Sequence, residues 1–361
     1  MKIVIFAGGV GTRLWPLSRE SLPKQFEKVV DNKSTIQLTA DRLLPAFKPS
    51  DIYISTNTQY VKIVQRQLQS IPPENIIGEP VMRDVGPAVG LISAILSKDF
   101  GNEPFAILWS DHLVRNEEKF RKILLLCEEV IKEQTDKIVF IAQKPRFASE
   151  NLGWIEYQGL EFKKEEIKFY GFDSLKYRPD LKTAETFFRS GKHAWNLGYF
   201  VTTPNFLFGK YRQFVPAMYE KLLLIRKDWG SKKWDKTLSE IYPSFEKISF
   251  DNAILERLER NEAYVVSEEL RWSDIGAWEA LKEALQKSPN DNVTYGKVFI
   301  KDSQDSLIYN YNGKQLVATI DLKGMIVINT DDAILVCRKN SIPKIKKMVE
   351  GFKGTDKEYL T

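Results

Sequence analysis

Residues 7–26 read AGGVGTRLWPLSRESLPKQF, and the kind of phosphate-binding loop they make decides the fold. The apolar run Ile3 to Ala7 just before them predicts a strand that hands the chain to a glycine turn. Gly9-Val10-Gly11 opens a dinucleotide fingerprint, but Leu14 stands at its third glycine position. No Gly-Lys-Ser/Thr follows, so the P-loop pattern fails as well. What remains is a turn whose main-chain N–H groups a triphosphate can approach closely, because no side chain intervenes. Arg13 adds a planar fork for phosphate oxygens. Such a turn alone serves a purely structural strand-to-helix corner equally well. The continuation points to function: Arg13, Arg19 and Lys24 follow in quick succession, with Pro16 and Pro23 stiffening the segment between them.

Outward from this loop, the first half of the chain alternates between two periods. Ile52 to Ser55, Ile76 to Gly78, Phe105 to Trp109 and Ile138 to Ala142 predict further strands. Thr35 to Leu44, Tyr60 to Leu68, Ala88 to Leu96 and Phe120 to Ile131 have helical spacing. Strict alternation predicts a right-handed, mostly parallel α/β sheet with helices on both faces. Ligands bind such sheets beyond the carboxyl ends of the strands, where the glycine loop and the SDH of residues 110–112 both fall. Residues 150–290 are mixed, with strands in WIEYQ and LGYFVTT and helices over Asn205 to Asp228 and Asp251 to Arg260. After SPNDN at 288–292, short β-rich pieces recur between polar turns, followed by a basic helix from Pro343 to Phe352.

Bulk properties narrow the chemistry. The 361 residues carry a net charge of +5 with no basic block, so nucleic acid is not an expected partner. No apolar run approaches membrane-spanning length, and MKIVIFAGG is too short for a secretory signal, so the expected address is the cytoplasm and no membrane is involved. Two cysteines and two histidines make a disulfide framework or a His/Cys zinc site a poor reading. No G-x-S-x-G elbow supports a serine hydrolase. A metal here would sit on carboxylates and phosphate oxygens, which suits magnesium.

With those residues in view, the block at 7–26 resembles the signature of bacterial sugar-nucleotide pyrophosphorylases. WPLSRxxxPKQF resembles specifically the mannose-1-phosphate guanylyltransferase branch. The resemblance implies a Rossmann-like mixed-sheet nucleotidyltransferase domain of the glycosyltransferase-A-like class over residues 1–288. It also implies a small β-rich, left-handed β-helix-like domain over 289–361 that ends in a helix. Carried over by position, Gly8, Gly9, Gly11, Thr12 and Arg13 hold the nucleotide phosphates, and Lys24 neutralises charge at the reacting phosphorus. Asp111 of LWSDH, beside Ser110, and Asp274 of RWSDIGAWEAL are implied ligands of Mg²⁺. Read locally, each aspartate could equally be an exposed turn residue capping the helix that follows.

GEPVMRDVGPAVG at 78–90 lies where the family reads guanine, which implicates Glu79, Asp84 and Pro87. A carboxylate can accept the paired N1–H and N2–H₂ donors of that base. For the sugar phosphate the resemblance implicates Gly153, Asn196 of HAWNLGYF, and Tyr177 with Arg178 of KYRPD. The family has Glu-Lys-Pro at this last place. Arg178 can replace the lysine with a different geometry, whereas Tyr177 cannot replace the glutamate as a two-oxygen acceptor. SFDNAILER at 249–257 resembles the family's Ser-Ile-Asp-Tyr-Ala-Ile-Met-Glu segment and is a helix start with Ser249 or Asp251 as cap, which reads either as a capped packing helix or as a direct ligand contact.

The implied reaction takes GTP and mannose 1-phosphate to GDP-mannose and pyrophosphate. Two other readings stand beside it: the same chemistry on another sugar 1-phosphate, such as a heptose, or on another nucleotide; and a non-catalytic GDP-sugar-binding regulatory subunit. Longer relatives carry an added isomerase domain, so isomerase activity is not expected here, and a homodimer is left open.

Overall fold

The computed structural model describes every residue but Val10. Its chain forms two compact bodies. Residues 1–8, 40–109 and 116–270 make the first, and residues 9–39, 110–115 and 271–361 the second.

The first body is built on a nine-stranded sheet. Its order is Ile76–Glu79, Ile52–Asn57, Lys2–Ala7, Phe105–Trp109, His193–Thr202, Ile138–Gln143, Ala263–Glu268, Ile167–Lys176 and Gly153–Lys164. The first four are parallel, as expected for runs such as KIVIFA whose residues are buried on both faces. Beyond Phe105–Trp109 the sheet turns mixed: His193–Thr202 runs antiparallel to both of its central neighbours. The sheet is therefore less parallel than alternation in the first half suggests, because the later strands arrive from distant sequence.

The helices follow their apolar spacing. Glu117–Glu133 buries Phe120, Ile123, Leu124, Cys127, Val130 and Ile131 on one stripe, and Asn116 caps its first turn. Truncating Phe120 would cost about 3–5 kcal/mol. Val85–Asp99 is apolar nearly all round and buried over most of its length, packed by Pro204–Phe214 and Pro216–Asp228. Those last two replace the single helix expected over Asn205 to Asp228. Val215 leaves the helical region ahead of Pro216, which restricts the residue before it. The helix expected over Asp251 to Arg260 is likewise only Phe250–Ala253, followed after Ile254 by a 3₁₀ turn at Leu255–Arg257.

In the second body, Val293–Tyr295, Leu307–Asn310 and Met325–Asn329 pair in parallel, and Val298–Lys301 pairs in parallel with Val317–Ile320. Gln304 bridges Lys323 in the same sense. Successive sides of one coil thus stack on the next, which is the β-helix arrangement, closed by the antiparallel strand Ile334–Arg338. Asn329 donates to Asn310 at 3.0 Å, a side-chain ladder that ties two coils. The core of this body joins Leu307, Ile326 and Ile328 to Leu14, Trp15, Leu17 and Trp278, so the signature segment is packed with the β-rich coils. Among the described residues, no helix is long and apolar enough to cross a membrane.

Candidate active site

The second body collects the phosphate-type groups. Gly8 ends the opening segment of the first body, and the second begins at Gly9, which has a φ of 91°. Both glycines are exposed, and the space a side chain would occupy above each is open. Gln25 donates to the Gly9 carbonyl at 3.2 Å and so fixes the turn from behind. Gly11 has a φ of 68°, and a Cβ there would lie 2.6 Å from Lys24 Cδ. Both the backbone and the lysine therefore require glycine. Thr12 and Arg13 follow in a short 3₁₀ turn, Thr12–Leu14, with Arg13 exposed.

Lys24 lies in the 3₁₀ turn Lys24–Phe26, directly after Pro23, and is buried. Its Nζ is 2.7 Å from Asp111 Oδ2 and 3.8 Å from Asp274 Oδ1, and it donates to the Ile275 carbonyl at 3.2 Å. The two aspartates meet because His112–Val114 and Trp272–Asp274 pair antiparallel, with Asp274 opposite His112, and Ile275 N–H donates to the Asp111 carbonyl at 3.1 Å. Ser110 is buried beside Asp111. A Cβ on Gly276 would meet Arg13 Nη2 at 3.2 Å and both Asp274 oxygens at 3.3 Å, so the guanidinium lies over the same turn.

Burial works against charge on Lys24, but the carboxylates of Asp111 and Asp274 outweigh it and hold the ammonium above its ordinary pKa. Burial likewise works against the Asp111 carboxylate, and Lys24 and His112 reverse that and hold its pKa below the usual range.

Asp274 Oδ1 is covered from solvent and has no hydrogen-bond partner among the described residues. An orphaned carboxylate oxygen next to a second carboxylate suits a hard divalent cation. Among the described residues, no group of three or more His, Cys, Asp or Glu could hold a metal. An ion on this pair would therefore complete its shell with phosphate oxygens and water, as magnesium characteristically does.

Arg19 has a different task from the one its place in the loop suggests. It donates to the Leu360 carbonyl and, at 2.9 Å, to Asp332, and it lies over the Trp15 ring. Trp15 Nε1 donates to the same Leu360 carbonyl at 2.9 Å. Of the three cations that follow the turn, Arg13 and Lys24 belong to the carboxylate cluster, and Arg19 ties the loop to residues 332 and 360.

The first body carries the groups expected to read base and sugar. Glu79 ends its strand with both oxygens engaged, accepting from Tyr242 OH at 2.6 Å and Ser55 Oγ at 3.0 Å. Burial pushes its carboxyl up to about 7, against those two hydrogen bonds. Asp84 has a φ of 70° and caps Val85–Asp99 through the Val85 N–H at 2.7 Å; Pro87 is buried in the first turn.

Gly153 and Asn196 pair across neighbouring strands, and a Cβ on Gly153 would sit 3.1 Å from Asn196 Cβ. Tyr177 N–H donates to Glu256 Oε1 at 2.8 Å, and the Arg178 guanidinium lies 4.9 Å from the Tyr177 ring centre. Asn196 Nδ2 donates to Asp251 Oδ1 at 2.9 Å. The sequence offers Asp251 as a cap, but Ser249 performs the capping. Glu256, Gln25 and Tyr242 are partners of site residues that sequence reasoning misses. Glu256 in SFDNAILER and Gln25 in PKQF lie inside quoted motifs that could have signalled them, whereas Tyr242 lies in no such motif.

Comparison with known proteins identifies the family. Residues 2–291 match the nucleotidyl transferase family, and residues 296–352 the MannoseP isomerase/GMP-like beta-helix domain. The chain is 31% identical to a mannose-1-phosphate guanylyltransferase of Salmonella muenchen, over 98% of this chain and 74% of that protein. It is also 31% identical to mannose-1-phosphate guanylyltransferase 2 of Escherichia coli O157:H7, over 99% and 75%. A crystal structure described as a mannose-1-phosphate geranyltransferase from Thermus thermophilus superimposes with a TM-score of 0.86 at 26% identity, covering 98% of this chain and 99% of that one.

Proposed function

Because the chain belongs to the nucleotidyl transferase family, in its mannose-1-phosphate guanylyltransferase branch, we propose that it transfers a guanylyl group from GTP to mannose 1-phosphate, giving GDP-mannose and pyrophosphate. The observation that carries this reading is Lys24 bracketed by Asp111 and Asp274, with Arg13 over the adjoining turn. That set suits a polyphosphate and offers no nucleophile of its own.

On this reading a sugar-phosphate oxygen attacks the α-phosphorus in line, and pyrophosphate leaves from the opposite side. A phosphate monoester is already anionic near neutral pH, so the attack needs no general base. Catalysis then rests on positioning and charge neutralisation. The main-chain N–H groups of Gly8, Gly9, Gly11 and Thr12 cradle the phosphates. Arg13 and Lys24 offset charge on the α-phosphate and the departing pyrophosphate. Asp111 and Asp274 would hold Mg²⁺, which when bound supplies further neutralisation of phosphate charge. Glu79, Asp84, Pro87 and Ser110 are assigned to the nucleotide, and Gly153, Tyr177, Arg178 and Asn196 to the sugar phosphate. Residues 1–288 would carry the reaction and 289–361 the β-rich module. The cytoplasm, where GTP is made and used, is the proposed compartment.

Tyr177 keeps one alternative open: the same transfer onto a different sugar 1-phosphate, since a phenol accepts hydroxyls differently from a carboxylate. Pyrophosphate release from four nucleotides against mannose, glucose and heptose 1-phosphates tests both. Release with GTP and mannose 1-phosphate is expected; turnover only with UTP or dTTP would reject guanylyl transfer. Tight GDP-mannose binding with no turnover for any pair would favour a regulatory subunit instead.

A further inference from the structure

The β-rich coils of the second body end unevenly. Among the described residues, four strands stack on one side, from Val293–Tyr295 to Ile334–Arg338, and two on another, Val298–Lys301 and Val317–Ile320. The last strand of the longer side therefore has no strand opposite it. In its register Ile334 lies beside Asn329 and Val336 beside Val327, on the face turned away from the core residues Ile326, Ile328 and Leu335. Ile334 and Val336 are in consequence 64% and 59% exposed, and Leu316 and Ile320 on the shorter side 65% and 61%.

The bare edge is ready to pair. Val317 and Asp321 N–H donate to the Lys297 and Lys301 carbonyls at 3.1 Å, so alternate residues face the neighbouring strand and the N–H and C=O groups of Ala318 and Ile320 point outward. Residues 316–320, LVATI, carry no charge and no proline, the devices that blunt a free edge. Beside them lies a hollow of about 400 Å³ whose lining includes Leu316, Asn329 and Ile334. Asn329 is buried, and its Nδ2 donates to Asn310 and Gln315 at 3.0 Å each. Its Oδ1 is covered and has no partner among the described residues, and Thr319 Oγ1 on the bare strand is in the same condition. Covered polar atoms without partners are costly, so two at one end of the coil point to a missing neighbour.

We propose that this neighbour is a second copy of the chain, its Val317–Ile320 strand antiparallel to the same strand here about a twofold axis through Thr319. Ala318 and the partner's Ile320 then exchange both main-chain hydrogen bonds, and Thr319 meets its own counterpart in the close pair between them. Hydroxyl contacts between threonines stabilise such a pair, which gives the covered Oγ1 atoms each other. The added strand also covers Ile334 and Val336. The area suits a dimer: Phe299, Leu316, Ile320, Ile334 and Val336 offer roughly 100 Å² each. Roughly 500 Å² is the apolar share of a standard interface of about 800 Å² per partner. This surface lies in the coils and does not depend on which transfer the chain performs.

Sedimentation velocity of the full chain across a dilution series tests it, with Ala318→Pro and Ile334→Lys beside wild type. Wild type is expected at twice the chain mass. Ala318→Pro removes an outward N–H without touching the existing strand pair, and Ile334→Lys puts a charge on the uncovered face. Each should weaken the dimer by at least about 30-fold, the scale of losing one interface hot spot. Independently, Thr319→Cys should give a covalent dimer on a non-reducing gel after mild oxidation, since facing residues of a close antiparallel pair stand within disulfide reach. Leu316→Cys, which this register places away from its counterpart, should not, and wild type with Cys127 and Cys337 is the control. A wild type that stays monomeric throughout overturns the inference, even if its coils take up some other protein. So does a dimer that both substitutions leave intact, or one that Thr319→Cys fails to cross-link. None of these readouts uses turnover, so pyrophosphate release decides the transferase reading separately.

Discussion

Lys24 Nζ stands 2.7 Å from Asp111 Oδ2 and turns toward Asp274 as well. An ammonium held between two carboxylates offsets half of their charge before any substrate arrives. Asp111 and Asp274 would hold a divalent ion, which would leave the Lys24 ammonium to neutralise phosphate charge. This sharing of partners underlies the first prediction. Asp111→Ala and Lys24→Met should each lower kcat by about 10²-fold or more, the scale of one lost electrostatic stabiliser. Single-turnover kinetics at saturating GTP check it, and full activity of Asp111→Ala would reject the metal assignment.

Gly11→Ala tests the turn. Its left-handed φ of 68° and the 2.6 Å approach to Lys24 Cδ act together. The left-handed backbone costs a non-glycine residue about 1–2 kcal/mol, and the clash must move the lysine. Urea unfolding should show a stability loss of at least that size, and kcat should fall about 10-fold or more. Gly8→Ala, with open space above it, should retain stability within about 0.5 kcal/mol.

Arg19 should behave unlike Arg13. Arg19→Ala removes charged hydrogen bonds to Leu360 and Asp332, and should lower stability by about 1–3 kcal/mol. The KM for GTP should change little. Arg13→Ala should do the reverse, raising KM for GTP about 10-fold or more with little change in the denaturation midpoint. Paired steady-state and unfolding measurements on the two variants separate the roles.

Glu79 predicts a pH dependence of stability. Its carboxyl rises from an ordinary value of 4.5 to about 7 in the folded protein, chiefly through burial. Between those values the folded state binds the proton more tightly than the unfolded one, so stability falls as pH rises through this window and levels off above about 7. Glu79→Gln should remove that contribution. Relative to wild type it should gain stability progressively from pH 5 to 7, on the order of 1–3 kcal/mol. Denaturant midpoints measured across that range check the slope.

Much of this is legible in the sequence because it is local. The strand Phe105–Trp109 follows directly from its run of apolar residues, and Gly9 and Gly11 take the positive φ that a glycine turn after the first strand predicts. The Ser-Asp pairs at 110–111 and 273–274 stand out as candidate ligands, although only the antiparallel pairing of 112–114 with 272–274 brings them together. Arg19 misleads for the same reason: its partners are Asp332 and Leu360, and no local pattern announces a contact at such separation. At SFDNAILER, Ser249 and Asp251 both suit a helix start, and only the fold shows that Ser249 is the cap. The break at Val215–Pro216 is readable, because the residue before proline leaves the helix, yet unbroken apolar spacing on either side masks it.

The claim on which the rest depends is that Asp111 and Asp274 grip one divalent ion together with the nucleotide phosphates. Anomalous diffraction from crystals grown with Mn²⁺ and GTP measures it most directly. The account predicts a single strong peak within about 2.0–2.3 Å of an oxygen from each aspartate and of phosphate oxygens. A peak that touches neither aspartate, or a polyphosphate lying away from Gly8 to Arg13, would contradict it.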